Sequence, residues 1–299
     1  MSDVVFDRGL ARTRLARAKA ERPGGRGGYA DFLVARAAED VEDRLAAVLR
    51  EFPVCVDLGT PAPHVARALA RRPGTERVLR LAPLPEPGAV VADEEALPLA
   101  PASVNLVVSA LASPGANALP GTLIQPRRPV APDGLMLACL MGGSSLYELR
   151  QSFAAAEAET TGGVSPRVAP FVDVRDLGAL LQRAGFALPV VDADPLVVRY
   201  DDVLGLMRDL RAMGLGNVLT ARRRVPLARA TLLRLAEIYA ERYADADGRV
   251  RATFELVWMS GWAPHESQQK PLRPGSARMR LADALGTQEI PAGERAKPG

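Results

Sequence analysis

Chemistry is first expected in this sequence at Asp57-Leu58-Gly59-Thr60. An apolar run, Val54-Cys55-Val56, leads into it, and an amphipathic helix follows from about His64. A strand, a tight glycine turn and a helix packing back form the ligand-holding unit of nucleotide-binding α/β folds. Glycine there lets backbone N–H groups approach a ligand closely. The full pattern would be D-x-G-x-G-x-G. This chain reads Asp57-Leu58-Gly59-Thr60-Pro61-Ala62-Pro63, with one glycine kept and proline at the other two places. Two further stretches belong with the loop, the acidic pair Asp93-Glu94 and Ser109 to Asn117, each following an apolar run. In an open α/β sheet, ligands lie beyond the carboxyl ends of the strands, where the strand order reverses, so all three are expected on one edge. Asp93-Glu94 can accept a hydrogen bond from an adenine amino group there. Asp57 either meets the ligand or caps its own turn.

Other chemistry is sparse. His64 and His265 are the only histidines, and Cys55 and Cys139 lie in separate apolar runs. No metal site is therefore expected, and the thiols read as buried and reduced. A net charge of +3, without a basic stripe interleaved with aromatics, argues against a nucleic-acid partner. Arg222-Arg223-Arg224 reads as a solvated loop. No apolar run approaches the roughly 20 residues of a membrane-spanning helix. Arg8, Arg12, Arg14 and Arg17 follow a helical pattern like that of a transit peptide, but Asp3 and Asp7 argue against one, so a cytoplasmic protein is expected.

The elements that must position these residues follow from periodicity. Residues 1–20 read as a basic amphipathic helix packed on the outside of the main domain, and Arg22 to Gly28 as a flexible linker. Phe32, Leu33, Val41, Leu45 and Val48 recur at helical spacing until Phe52-Pro53. Strands are expected at Val54–Val56, Val78–Leu81, Ala89–Ala92, Val104–Ser109, Leu135–Met141 and Ala187–Val191, with Pro132-Asp133-Gly134 as a turn. Helices are expected at about Leu146–Glu159 and Val174–Ala184. Two more, at about Asp202–Met213 and Pro226–Tyr243, precede a closing strand, Thr253–Met259. The alternation predicts an α/β fold, a doubly wound parallel sheet with a helical insertion before the last strand. Three regions result: helix and linker over 1–28, one α/β domain over 29–262 with its insertion at about 200–245, and a tail over 263–299. The last ten or so residues of that tail are too polar to order.

This arrangement resembles the Rossmann-like class I S-adenosylmethionine-dependent methyltransferases. A narrower resemblance rests on Val5-Phe6-Asp7-Arg8 and above all on Gly142-Gly143-Ser144-Ser145-Leu146-Tyr147-Glu148-Leu149-Arg150. Val164-Ser165-Pro166, Asp176 to Leu181, Arg183-Ala184-Gly185-Phe186, Asp209 to Gly214, Ala252-Thr253-Phe254-Glu255 and Gly261-Trp262 extend it. Through these the chain is similar to the methyltransferase-fold assembly factors of respiratory complex I, described as arginine hydroxylases acting on a complex I subunit. The resemblance implies S-adenosyl-L-methionine as cofactor, held by Asp57, Gly59, Thr60, Asp93, Glu94 and Ser109. It also implies a protein client, such as a complex I subunit, met by Gly143, Tyr147 and Arg150. A plainer reading pairs Glu148 with Arg150 on a helix surface. Trp258 and Trp262 read as packing residues, and His64 as an exposed residue of a first helical turn.

The departures from the family pattern fall on the cofactor. Its second and third loop glycines are Pro61 and Pro63, which lack N–H groups and cannot take positive φ. Arg80-Leu81-Ala82-Pro83 has no carboxylate for the ribose hydroxyls, Asn105 stands for the usual aspartate, and a His-Trp pair falls on Pro114-Gly115. Losing the carboxylate and two close-approach glycines costs about 4 kcal/mol, roughly a thousandfold in affinity. The sequence is thus read as a protein-binding assembly factor, a pseudoenzyme with a degenerate cofactor site. The alternative is an active S-adenosylmethionine-dependent methyltransferase or protein arginine hydroxylase. A dinucleotide-dependent dehydrogenase is disfavoured, since no G-x-G-x-x-G follows the first strand.

Overall fold

In a computed structural model of the chain, residues 4–20, 29–112, 119–171, 173–269, 283, 286 and 287 are described. The expected linker, the Pro114-Gly115 position and the end of the tail lie outside these residues. Contacts divide the chain into a unit of Met1–His265 and a second of Glu266–Gly299. The first unit holds the sheet.

Strands β1 (Val54–Leu58), β2 (Arg77–Ala82), β3 (Ala89–Val91), β4 (Val104–Ala110) and β5 (Val130–Met141) run parallel. With β6 (Ala187–Tyr200) and β7 (Val250–Trp262) they form one seven-stranded sheet in the order β3-β2-β1-β4-β5-β7-β6. The order reverses between β1 and β4, which is the switch point where a ligand crevice opens. Strand β7 departs from the all-parallel expectation, pairing antiparallel with both β5 and β6.

Helices α1 (Arg8–Ala20), α2 (Phe32–Ala46), α3 (His64–Arg71), α4 (Leu119–Arg127), α5 (Tyr147–Thr161), α6 (Val174–Arg183), α7 (Val203–Ala212) and α8 (Arg229–Tyr243) complete the main unit. The pleat sends alternate residues of β5 to opposite faces. Leu135, Leu137 and Cys139 join α2 residues Ala37, Val41 and Leu45 and α3 residues Val65 and Leu69 in one core. Met136 and Ala138 meet Leu123, Leu177 and Leu181 of α4 and α6 in another. A third core forms where α5, α7 and α8 enclose Phe254 of β7 with Leu206, Leu235, Ile238 and Tyr239. The inserted helices α7 and α8 thus bury their apolar stripes against the ends of the two longest strands. Helix α7 starts where the Asp202 carboxylate accepts from the Gly205 N–H at 2.7 Å, an N-cap. Among the described residues, no helix is long and apolar enough to cross a membrane.

Three elements differ from their expected form. Pro132-Asp133-Gly134 is no turn: β5 continues through it, with Asp133 at φ 63° and the register shifted opposite Val104–Leu106. This is a bulge, in which one extra residue is absorbed without ending the strand. A Cβ at Gly134 would lie 2.7 Å from the Asn105 carbonyl oxygen, so glycine is the residue that fits. Strand β6 runs on from Val191 to Tyr200, through Asp192-Ala193-Asp194-Pro195. At a sheet edge, proline loses no ladder bond and charges face outward. Arg44 holds Asp192 at 2.9 Å, which keeps that stretch against α2. Helix α4, despite Gly121 and Pro126, had no counterpart in the sequence pattern.

Candidate functional site

At the carboxyl end of β1, Gly59 turns the chain at φ 70°, and its N–H reaches the Leu81 carbonyl at 2.7 Å. The next residue, Thr60, is buried, and its hydroxyl accepts from the Ala110 N–H at 3.3 Å. Asp57 is fully buried, and among the described residues neither carboxylate oxygen has a hydrogen-bond partner of good geometry. That burial pushes its pKa up to about 6. Parallel pairing sets Arg80 of β2 beside Asp57. The Arg80 Nε lies 3.8 Å from Asp57 Oδ2, while Nη2 donates to the Thr60 carbonyl at 3.0 Å and meets Glu86 at 2.9 Å. Lys19 of α1 also pairs with Glu86.

The acidic pair after β3 is split. Asp93 is held by Arg8 at 2.6 Å and Arg12 at 2.8 Å, and it caps the Glu95 N–H. Burial raises its pKa, but these hydrogen bonds and charges outweigh it and leave the value lowered. Glu94 instead turns inward. Its Oε1 lies 2.9 Å from where a Gly59 Cβ would stand, and burial pushes its pKa up to about 7. Ser109 is separated from both. Since Asp57 pairs with Val108, the alternation of β4 puts Ser109 on the other face of the sheet.

Helix α1 lies over the loop. Ala11 and Leu15 join Pro61, Leu111 and the segment from Met213 to Val218 around a cavity of about 30 Å³, room for about two waters. Asp57 and Gly59 retain a cradle, yet Arg80 sits at its carboxylate, Glu94 fills its floor and proline removes two of its amides. In this conformation the residues do not fit S-adenosylmethionine.

A second cluster forms beyond β5. Gly142 to Ser145 lead into α5, and Leu146 makes the bend at φ 54°. The loop is sewn to β7: Gly142 N–H donates to the Glu255 carbonyl at 2.8 Å and Leu146 N–H to the Thr253 carbonyl at 2.7 Å. The Glu255 carboxylate accepts from the Ser144 N–H at 3.0 Å, and a Cβ at Gly142 would collide with it. Ser145 Oγ accepts from the Glu255 N–H at 2.9 Å. Glu148, 1% exposed, accepts from the Thr253 N–H at 3.2 Å and hydroxyl at 2.5 Å. Among the described residues, neither Glu148 nor Glu255 has a cation within ion-pair distance.

Of the residues expected to meet a client, Gly143 is exposed, and Tyr147 is 38% exposed with its ring edge-on to Tyr243. Arg150 is half-buried and donates to the Ser145 carbonyl at 3.2 Å. The surface pairing of Glu148 with Arg150 does not form, because Glu148 points into the protein. Thr253 and Glu255 entered the sequence reading only within the matching stretch Ala252 to Glu255, with no site role. Their signal was strand alternation, which puts both on one face beside the Gly142 loop. His64 binds Asp31 at 2.7 Å. Arg222, expected in solvent, is half-buried against Asp7 at 3.2 Å and the Leu219 carbonyl at 2.8 Å. Trp258 is core, as expected, and Cys55 and Cys139 are buried free thiols.

No family model matches the chain. It is 39% identical over 264 residues to the arginine-hydroxylase NDUFAF5, mitochondrial, of Danio rerio, covering 85% of this chain and 82% of that one. It is 36% identical over 214 residues to the malonyl-[acyl-carrier protein] O-methyltransferase of Laribacter hongkongensis, covering 72% and 69% of the two. Among solved structures, the YcgJ protein of Bacillus subtilis superposes with a TM-score of 0.52 at 11% identity, over 77% of this chain and 99% of that one. That likeness shows the fold, a class I methyltransferase-like sheet. The expectation of a cytoplasmic protein is overturned, since the NDUFAF5 relative is mitochondrial.

Proposed function

The chain belongs to the family of the arginine-hydroxylase NDUFAF5 proteins, and we propose that it is itself an enzyme of that kind, directed at arginine in a subunit of respiratory complex I. The relatives are named as enzymes, which favours the enzyme reading over a scaffold that has lost catalysis. One observation carries the choice of arginine. Glu255 and buried Glu148, without cationic partners among the described residues, flank exposed Tyr147 and Gly143 at the carboxyl edge of β5.

A guanidinium suits that arrangement. It donates planar hydrogen bonds to carboxylates and stacks on aromatic rings. Ser144 fixes one oxygen of Glu255, and the other has no hydrogen bond among the described residues, so it is available to a donor. Within the enzyme class, the filled cleft at Asp57 favours hydroxylation over transfer of a methyl group from S-adenosylmethionine.

The test is to delete the chain's gene and map arginine modification on complex I subunits by mass spectrometry. The reading expects loss of a one-oxygen mass gain at an arginine, restored by the wild-type chain. Loss of a one-methylene gain would reassign the reaction. An unchanged arginine map alongside lowered complex I levels would support the non-catalytic assembly role instead.

A further inference from the structure

The residues of the cofactor edge disagree with the cofactor of the fold family, and the disagreement has a pattern. Asp57 and Arg80 stand side by side at the ends of parallel strands, on one face, next to the switch point. A ligand cation or hydroxyl would approach the Asp57 carboxylate there. The guanidinium of Arg80, only 8% exposed, already holds that place, braced by the Thr60 carbonyl at 3.0 Å and Glu86 at 2.9 Å. Glu86 is shared with Lys19, so Asp57 and Glu86 both face cations of the chain itself.

We propose that Arg80 is a built-in occupant of this edge, a side chain that replaces the diffusible cofactor and keeps S-adenosylmethionine out. Three independent features agree with it. Glu94 fills the space that positive-φ Gly59 leaves open, with Oε1 2.9 Å from the missing Cβ. Prolines at 61 and 63 remove amides that would bind a ligand carboxylate. Helix α1 closes the top, bolted by Arg8 and Arg12 to Asp93, the carboxylate that would have met an adenine amino group. A sulfonium placed here would add a positive charge beside Arg80, which is unfavourable in a buried site.

The occupant and the client site are separate, so each can fail alone. The experiment uses the full chain and follows thermal unfolding and calorimetry with two probes, S-adenosylmethionine and methylguanidinium. Both Arg80 forms carry Glu255→Gln, which removes the client guanidinium site, and with Arg80 intact the chain should show no heat and no change in Tm with either probe at millimolar concentration. Arg80→Ala uncovers Asp57 and should lower Tm by roughly 8 °C or more. Millimolar methylguanidinium should recover part of that loss by binding the folded state, while sodium chloride of equal ionic strength should not. Should Arg80→Ala not fold, Arg80→Gln, which keeps the length and drops the charge, takes its place. Micromolar binding of S-adenosylmethionine by wild type overturns the proposal. So does an Arg80 variant that neither loses stability nor responds to methylguanidinium.

Discussion

Replacing Glu255 with glutamine separates the two tasks assigned to that side chain. One oxygen accepts from the Ser144 N–H at 3.0 Å and anchors the loop into α5. A glutamine carbonyl can accept the same bond, so the loss in stability is held to about 1 kcal/mol. The negative charge has no such substitute. A charge-assisted bond from carboxylate to guanidinium contributes about 1.5–3 kcal/mol, which is roughly 10- to 150-fold in affinity. Glu255→Gln should therefore weaken binding of capped peptides with a central arginine by at least about tenfold, while its urea midpoint stays near wild type. Lysine and citrulline peptides are the controls, since they test charge without planarity and planarity without charge. Glu255→Ala removes the acceptor as well, so it should lose both binding and stability. Unchanged affinity for the arginine peptide in Glu255→Gln, or equal preference for citrulline, would refute the assignment of the guanidinium site.

Three further outcomes follow from the same structure. Asp57 at about 6 and Glu94 at about 7 sit above their usual 3.8 and 4.5, chiefly through burial, so the folded protein binds these protons more tightly than the unfolded chain. Their contribution is full below about pH 4 and is lost as pH rises through 6 and 7, on the order of 3 kcal/mol for each. Urea midpoints should fall between about pH 4 and 7, and the fall should shrink in Asp57→Asn and Glu94→Gln; parallel profiles would count against it. Gly59→Ala meets φ 70° together with Glu94 Oε1 at 2.9 Å and Ala112 Cβ at 3.0 Å, and should cost about 2–4 kcal/mol by chemical denaturation. Glu157→Ala removes the carboxylate, 1% exposed, that takes Ser165 N–H at 2.7 Å and Arg167 Nε at 2.8 Å. It should cost about 3 kcal/mol and speed amide exchange after α5; protection left intact at Ser165 would refute it.

The sequence by itself determined the order of elements and the edge on which ligands meet the sheet. Val54–Leu58 running into Gly59, the apolar run of β4, and the caps and stops of α6 and α7 are local signals, written in periodicity and turn chemistry over a few residues. Gly143 and Tyr147 were singled out by the family resemblance, and both lie exposed beyond the carboxyl end of β5. Tertiary structure alone decided what each side chain there does. Asp57 and Arg80 meet because two strands offset by 23 residues pair in one register, and a slip by one residue would have sent Arg80 to the other face. That rule removed Ser109 from the site, and strand pairing brought in Glu255, 111 residues from the Ser144 amide it holds. Glu94 was read as Asp93's partner because they are neighbours in the chain. Packing turned Glu94 beneath Gly59 and left Asp93 to Arg8 and Arg12 of α1. Burial and pairing between distant segments leave no periodic trace in a chain, so the glycine turn was legible from its residues, and its occupant, Arg80, only from the fold.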